Sequence, residues 1–146
     1  MQEAQSLSCV AASADVELVA SGYSHAAICV HDLAAMPRAE LPQPGTDDAA
    51  VGFPEYQPEA SCQQLWAHHG PVYGLAFSFD KRVLYSCGAD GTVRMWYTPS
   101  GIHLLNWEGH NAPAWDVAAC PMGHWVVSAG ADWTLKLWCA PHCGGG

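Results

Sequence analysis

The chain has 146 residues, half of them hydrophobic, with 14 Asp and Glu against 5 Lys and Arg and a formal net charge of −9. That length holds one domain with a real core and not two comfortable ones, and the composition excludes a disordered chain. The acidic balance argues against an electrostatic grip on nucleic acid or on an anionic membrane surface, so the expected partner is a protein.

No apolar stretch approaches the ~20 residues that span a bilayer, and "MQEAQSLSCV" has no basic region leading into an apolar run. The seven cysteines are an odd number scattered through apolar segments. Buried free thiols in a reducing compartment explain them better than a disulfide framework does.

In chain order the sequence divides into three related units, about 7–66, 67–108 and 109–140. The second and third carry the proof. Residues 68–96 align with 110–138 without a gap at an offset of 42, with nine of 29 positions identical and most others apolar for apolar. Shared composition cannot hold a gapless register over that length, so the repeat is real.

The first unit is a degenerate copy. "SADVELVASGYSHAAICVHDL" (13–33) matches 78–98 at an offset of 65, setting Asp15 on Asp80 and Ser21 on Ser86. The surplus falls in residues 34–61, which hold five prolines, five acids and one Arg without periodicity. They read as a solvated insertion between the third and fourth strands of the unit, able at most to dock a basic partner.

In the later units, "PVYGLAFS" and "PAWDVAAC" read as bulged strands, with a small or polar residue in mid-run. "RVLYSCG" and "HWVVSAG" follow as buried strands. "TVRMW" and "TLKLW" alternate with period two. "GADG" and "GADW" are tight turns between them, and "TPSG" turns into a fourth strand, "IHLLNWEG". Four antiparallel strands in about 42 residues, repeated radially, make a propeller blade. The expected fold is all-β: a partial propeller of about three four-stranded blades, the last incomplete because "CAPHCGGG" cannot supply a strand.

His68, Ser86, Asp90 and Trp96 recur as His110, Ser128, Asp132 and Trp138. Three points count against a hydrolase reading, which stays as a third hypothesis beside the two binding ones. The set occurs twice where one triad is needed, no Gly-x-Ser-x-Gly elbow surrounds either Ser, and each position has a structural use. The His before the first strand and the Asp in the second turn can tie two loops together. The Ser can link the imidazole to the indole N–H, satisfying every buried polar group. Metal binding is not expected either: Cys139, His142 and Cys143 lack a fourth ligand at zinc-site spacing. No cofactor or small-molecule substrate is implied.

These units resemble WD repeats. Ala67 replaces the usual Gly before His68, Tyr97 and Cys139 replace the Asp after each Trp, and the first copy has His31 for Trp and His25 for the turn Asp. Gly70-Pro71-Val72-Tyr73 and Gly109-His110-Asn111-Ala112-Pro113-Ala114-Trp115-Asp116 further resemble consecutive repeats of the family of TFIID subunit 5 and its SAGA relatives. What that resemblance implies is a nuclear scaffold holding histone-fold subunits within a transcription-initiation or coactivator complex. A generic WD adaptor is the alternative.

Tyr73 and Trp115 occupy equivalent bulge positions and are expected on one rim, where with Asp116 they would form a partner surface. Eleven predicted strands cannot close a ring, since propellers have at least ~4 blades. The chain is therefore expected to be part of a longer protein or to pair with another chain, and to be oligomeric or aggregation-prone through its exposed blade faces and edges.

Overall fold

The computed structural model describes residues 6–33 and 62–139, so the predicted insertion 34–61 and the tail 140–146 lie outside the described residues. Among the described residues, eleven strands form three sheets. The first runs β1 (Leu7–Ala12), β2 (Leu18–Tyr23), β3 (Ala27–Asp32) and β4 (Cys62–Trp66), in that order. The second repeats it with β5 (Val72–Phe77), β6 (Val83–Gly88), β7 (Thr92–Tyr97) and β8 (Ile102–Glu108). The third has β9 (Ala114–Ala119), β10 (Trp125–Gly130) and β11 (Leu135–Cys139). Every neighbouring pair is antiparallel. Strand β5 lies between β1 and β9, so the first strands of the sheets gather along one inner edge. This is the arrangement of propeller blades around an axis.

The side-chain period of two sorts each strand onto two faces. In the second sheet, Val83, Tyr85, Cys87, Val93 and Met95 share one face and pack on Ala114, Val117 and Val126 of the third sheet. Leu84 and Trp96, opposite each other in register, point the other way onto Ala20, Ile28, Val30 and Leu65 of the first. Both faces of the middle sheet are therefore buried, which is why all six residues of "VLYSCG" are buried, Ser86 included. At about 1.5–3 kcal/mol for each large side chain removed from water, these two interfaces dominate the stability of the fold.

The predicted bulges are present. In β5, Val72 pairs with Gly88 and Gly74 with Cys87, leaving Tyr73 unpaired. In β9, Ala114 pairs with Gly130 and Asp116 with Ala129, leaving Trp115 over. The same irregularity in β1, between Leu7 and Cys9, falls on Ser8. Each bulge turns its extra side chain out of the ladder at the mouth of the inner strand.

Across the first interface, Lys81 Nζ meets Asp15 Oδ2 at 2.7 Å and also bonds Glu17. All three groups are solvated, so the cluster adds little to stability.

Candidate functional site: a repeated polar network and an aromatic rim

His68 lies in the connection from β4 to β5, and Asp90 in the turn from β6 to β7. The fold brings them together. His68 Nδ1 stands 3.1 and 3.2 Å from the two Asp90 carboxylate oxygens, and Nε2 stands 2.7 Å from Ser86 Oγ. Ser86 Oγ in turn accepts the Trp96 indole N–H at 2.8 Å. The third sheet repeats the set almost to the decimal: His110 to Asp132 at 3.1 Å, His110 to Ser128 at 2.7 Å, and Trp138 to Ser128 at 2.8 Å.

The donors and acceptors close without a remainder. A carboxylate only accepts, so the imidazole donates through Nδ1; Nε2 takes the Ser hydroxyl proton, and the Ser oxygen takes the indole N–H. Asp90 also accepts the His69 and Thr92 backbone N–H groups and the Thr92 hydroxyl, each within 3.2 Å. Asp132 does the same for Asn111 and Thr134. One carboxylate thus fastens the entry loop of a sheet to its second turn.

Electrostatics follow from those bonds. Burial would raise the Asp90 carboxyl, but the bonds from His68, from the Thr92 hydroxyl and from the His69 backbone N–H hold it well below the ordinary carboxylate range. The Thr134 hydroxyl first, then His110 and the backbone donors, do the same for Asp132.

The order Asp, His, Ser is that of a hydrolase triad, but Ser86 and Ser128 are wholly buried and each hydroxyl already holds an indole N–H. A substrate cannot reach either oxygen. Among the described residues no group of three or more His, Cys, Asp or Glu side chains is placed to hold a metal ion, and His142 and Cys143 lie outside them.

The first sheet shows what its substitutions did to the network. His31 takes the place of Trp96 and lies 3.2 Å from Ser21 Oγ, through Nε2. An imidazole ring nitrogen thus stands in for the indole N–H. Burial lowers the His31 pKa. His25, in the place of Asp90, packs among aromatic rings instead, 5.4 Å from Tyr23 and 5.6 Å from Trp66.

The two bulge aromatics meet across the boundary between the second and third sheets. Tyr73 and Trp115 lie 4.8 Å apart, ring centre to ring centre, tilted by 38°. Trp115 keeps 51% of its surface exposed, and Asp116 beside it is exposed as well. The Asp116 carboxylate accepts the Val117 backbone N–H at 2.9 Å.

Sequence reasoning missed Trp133. It stands in the turn from β10 to β11, and that turn is bonded to the mouth of β9 through Ala131 N–H and Pro113 O, at 2.8 Å. Trp133 is therefore on the same rim as Trp115, and it is 98% exposed. The signal was in the repeat: "GADW" carries Trp where "GADG" carries Gly. Trp107 was also missed. It stacks between Tyr85 and Trp138, nearly parallel to both, and extends the interface between the second and third sheets.

Radially arranged antiparallel sheets, two of the three tied by a His–Asp–Ser–Trp chain, define a WD-repeat domain. The WD domain, G-beta repeat family matches residues 60–97 and 101–139, more than half of the chain, and the chain belongs to it. It is 34% identical over 93 residues to bovine striatin-3, covering 60% of this chain and 11% of that protein. It is 34% identical over 103 residues to transcription initiation factor TFIID subunit 5 of Arabidopsis thaliana, covering 68% of this chain and 15% of that protein. To the Encephalitozoon cuniculi protein of the same name it is 27% identical over 113 residues, 75% of this chain and 20% of that one. The chain thus spans between about a tenth and a fifth of the length of these relatives.

Proposed function

We propose that the chain acts as a non-catalytic protein-interaction scaffold in a nuclear transcription-initiation or coactivator complex of the TFIID or SAGA type, where it holds histone-fold subunits. The observation that carries the scaffold reading is the Tyr73–Trp115 pair. Two large rings are braced on each other at matching bulges, and one is half in water. Braced aromatics lose little rotamer freedom on binding and serve as interface anchors. Asp116 and Trp133 extend the same surface. Similarity to TFIID subunit 5 in two distant organisms, over at least two thirds of this chain, supports the transcription reading. The His–Asp–Ser–Trp sets are structural ties in this account, and no cofactor takes part.

A second reading, a generic WD adaptor in a ubiquitin ligase or an RNA-processing assembly, is favoured by the striatin-3 match at the same identity. Affinity capture with the 146-residue chain as bait, followed by mass spectrometry, separates the two. Histone-fold subunits support the first reading; ligase or ribonucleoprotein components support the second. Trp115→Ala should release the captured partners, weakening binding at least tenfold, as expected for a central anchor. A variant that keeps its partners removes Trp115 from the surface.

A further inference from the structure

The bulges of the three first strands set equivalent residues in two rows along the inner edge. Ser8, Tyr73 and Trp115 are the bulge residues, and Cys9, Gly74 and Asp116 follow them. The junction between the second and third sheets lies wholly within the chain, so contacts inside the chain fix its geometry. A Cβ on Gly74 would stand 2.9 Å from Asp116 Cα and 2.8 Å from Cys87 Sγ, so the close approach of β9 to β5 requires glycine.

The Asp116 charge is felt on the inner side of that junction. Burial first, and then the Asp116 charge, push the Cys87 thiol up; after burial, the same charge also raises Cys9. Asp116 Oδ1 accepts the Val117 N–H at 2.9 Å, and among the described residues no Lys, Arg or His pairs with the carboxylate. Beside this anion stand the Tyr73 and Trp115 rings, 4.8 Å apart. On the other flank of Tyr73 the row continues with Ser8, whose small side chain is bonded to Gly22 O and Val72 O. No third ring closes the row on that side.

On the reading of this rim as the partner surface, we propose that the slot takes an arginine side chain from an extended segment of the partner, its guanidinium lying against the Tyr73 and Trp115 rings and donating to the Asp116 carboxylate. Charge decides the occupant. An unpaired carboxylate on a chain of net charge −9 attracts a cation, and aromatic faces hold a cation within about 6 Å. An acidic side chain would be repelled, and an apolar one would leave the carboxylate covered and unpaired. A guanidinium suits the slot better than an ammonium does, because its plane stacks on a ring while its fork donates to both carboxylate oxygens.

The probe is the capped peptide acetyl-Gly-Gly-Arg-Gly-Gly-amide, titrated into the 146-residue chain by calorimetry. Saturable millimolar binding is expected. Lysine in place of arginine should bind several-fold more weakly, and citrulline, which keeps the plane and loses the charge, at least tenfold more weakly. Asp116→Asn keeps an acceptor for the Val117 N–H, so it should melt like the wild type and bind the arginine peptide about tenfold more weakly. Citrulline binding as tightly as arginine overturns the proposal, and so does an Asp116→Asn variant of unchanged affinity or a titration that does not saturate at tens of millimolar. The citrulline comparison needs no variant, so it decides whatever the substitution does to folding. If the arginine peptide fails while Trp115→Ala still releases the captured partners, the rim is their surface and the arginine assignment alone is overturned. If the peptide binds as expected while Trp115→Ala keeps those partners, the arginine slot is supported and the scaffold reading of the rim is what fails.

Discussion

Trp133 stands in the left-handed turn position that Gly91 holds 42 residues earlier: φ is 66° at Trp133 and 75° at Gly91. Glycine takes that conformation freely, whereas a side chain there costs about 1–2 kcal/mol. Because the indole is almost wholly solvated, it makes little packing in return. Trp133→Gly is therefore expected to stabilise the domain by about 1 kcal/mol, seen as a higher denaturant midpoint. Trp133→Val, β-branched at the same φ, should lower it. If Trp133→Gly is neutral or destabilising, the turn is not strained. Strain held at an exposed aromatic commonly marks a binding position, so the stabilised variant should also lose captured partners.

The repeated hydrogen-bond chains make a separable prediction. His68→Ala strips Ser86 and Asp90 of a partner inside the fold, and an unpaired buried polar group costs about 1–3 kcal/mol. Trp115→Ala removes only half-exposed surface. Thermal melts should therefore fall by several degrees for His68→Ala and by much less for Trp115→Ala. Equal losses would mean that Trp115 is a core residue. Because Ser86, His68 and Trp96 share one chain of bonds, the double variant Ser86→Ala with His68→Ala should lose less than the sum of the single losses.

The strands and sheet order could be read from the sequence because the repeat supplied two aligned copies of every apolar alternation, and period two then fixed which residues share a face. The His–Asp–Ser–Trp chain was legible for the same reason: four polar or aromatic positions stay in step across 42 residues. Trp133 and Trp107 were not. The φ at Trp133 is set by the turn and not by its own side-chain preference, so the residue type gives no warning of strain. Trp107 belongs to a fourth strand that has no counterpart among the described residues of the third sheet, and the fourth strand of the first sheet carries Leu65 at that position, so no second Trp pointed to it. The Ser21–His31 contact was hidden by substitution, since it uses an imidazole where the other sheets use an indole.

Gly130 should resist substitution on steric grounds alone. Its φ is outside the left-handed region. A Cβ built there would lie 2.7 Å from Asp132 Oδ1 and nearer still to His110 Nδ1. Gly130→Ala should push the imidazole and carboxylate apart and destabilise the domain by about 1–3 kcal/mol, in the range of overpacked sites. In Gly123→Ala the added methyl meets nothing within 4 Å, so only the positive φ opposes it. A Gly130→Ala variant less affected than Gly123→Ala would show that the His110–Asp132 contact has room to spare.

Acid should unfold the domain in two stages. His31 is half-buried and its pKa is lowered by that burial, so protonation is disfavoured in the folded chain. Its contribution is present above the unfolded histidine value of about 6.5 and is lost as pH falls below it. The Asp90 and Asp132 carboxyls are also lowered, by the bonds described above. Their contribution is complete above the unfolded aspartate value of about 3.9 and drains away as pH falls from there toward the folded values. Melting temperature should therefore slip modestly between pH 7 and 5 and drop more steeply below about pH 4. Asp90→Asn should start from a lower melting temperature at neutral pH, because the amide can also donate and mismatches the His68, His69 and Thr92 donors. It should then show a shallower decline below pH 4, having one fewer carboxylate to protonate. His31→Gln should flatten the upper stage alone. If Asp90→Asn tracks the wild type through the acid limb, the network carboxylate contributes nothing to acid stability.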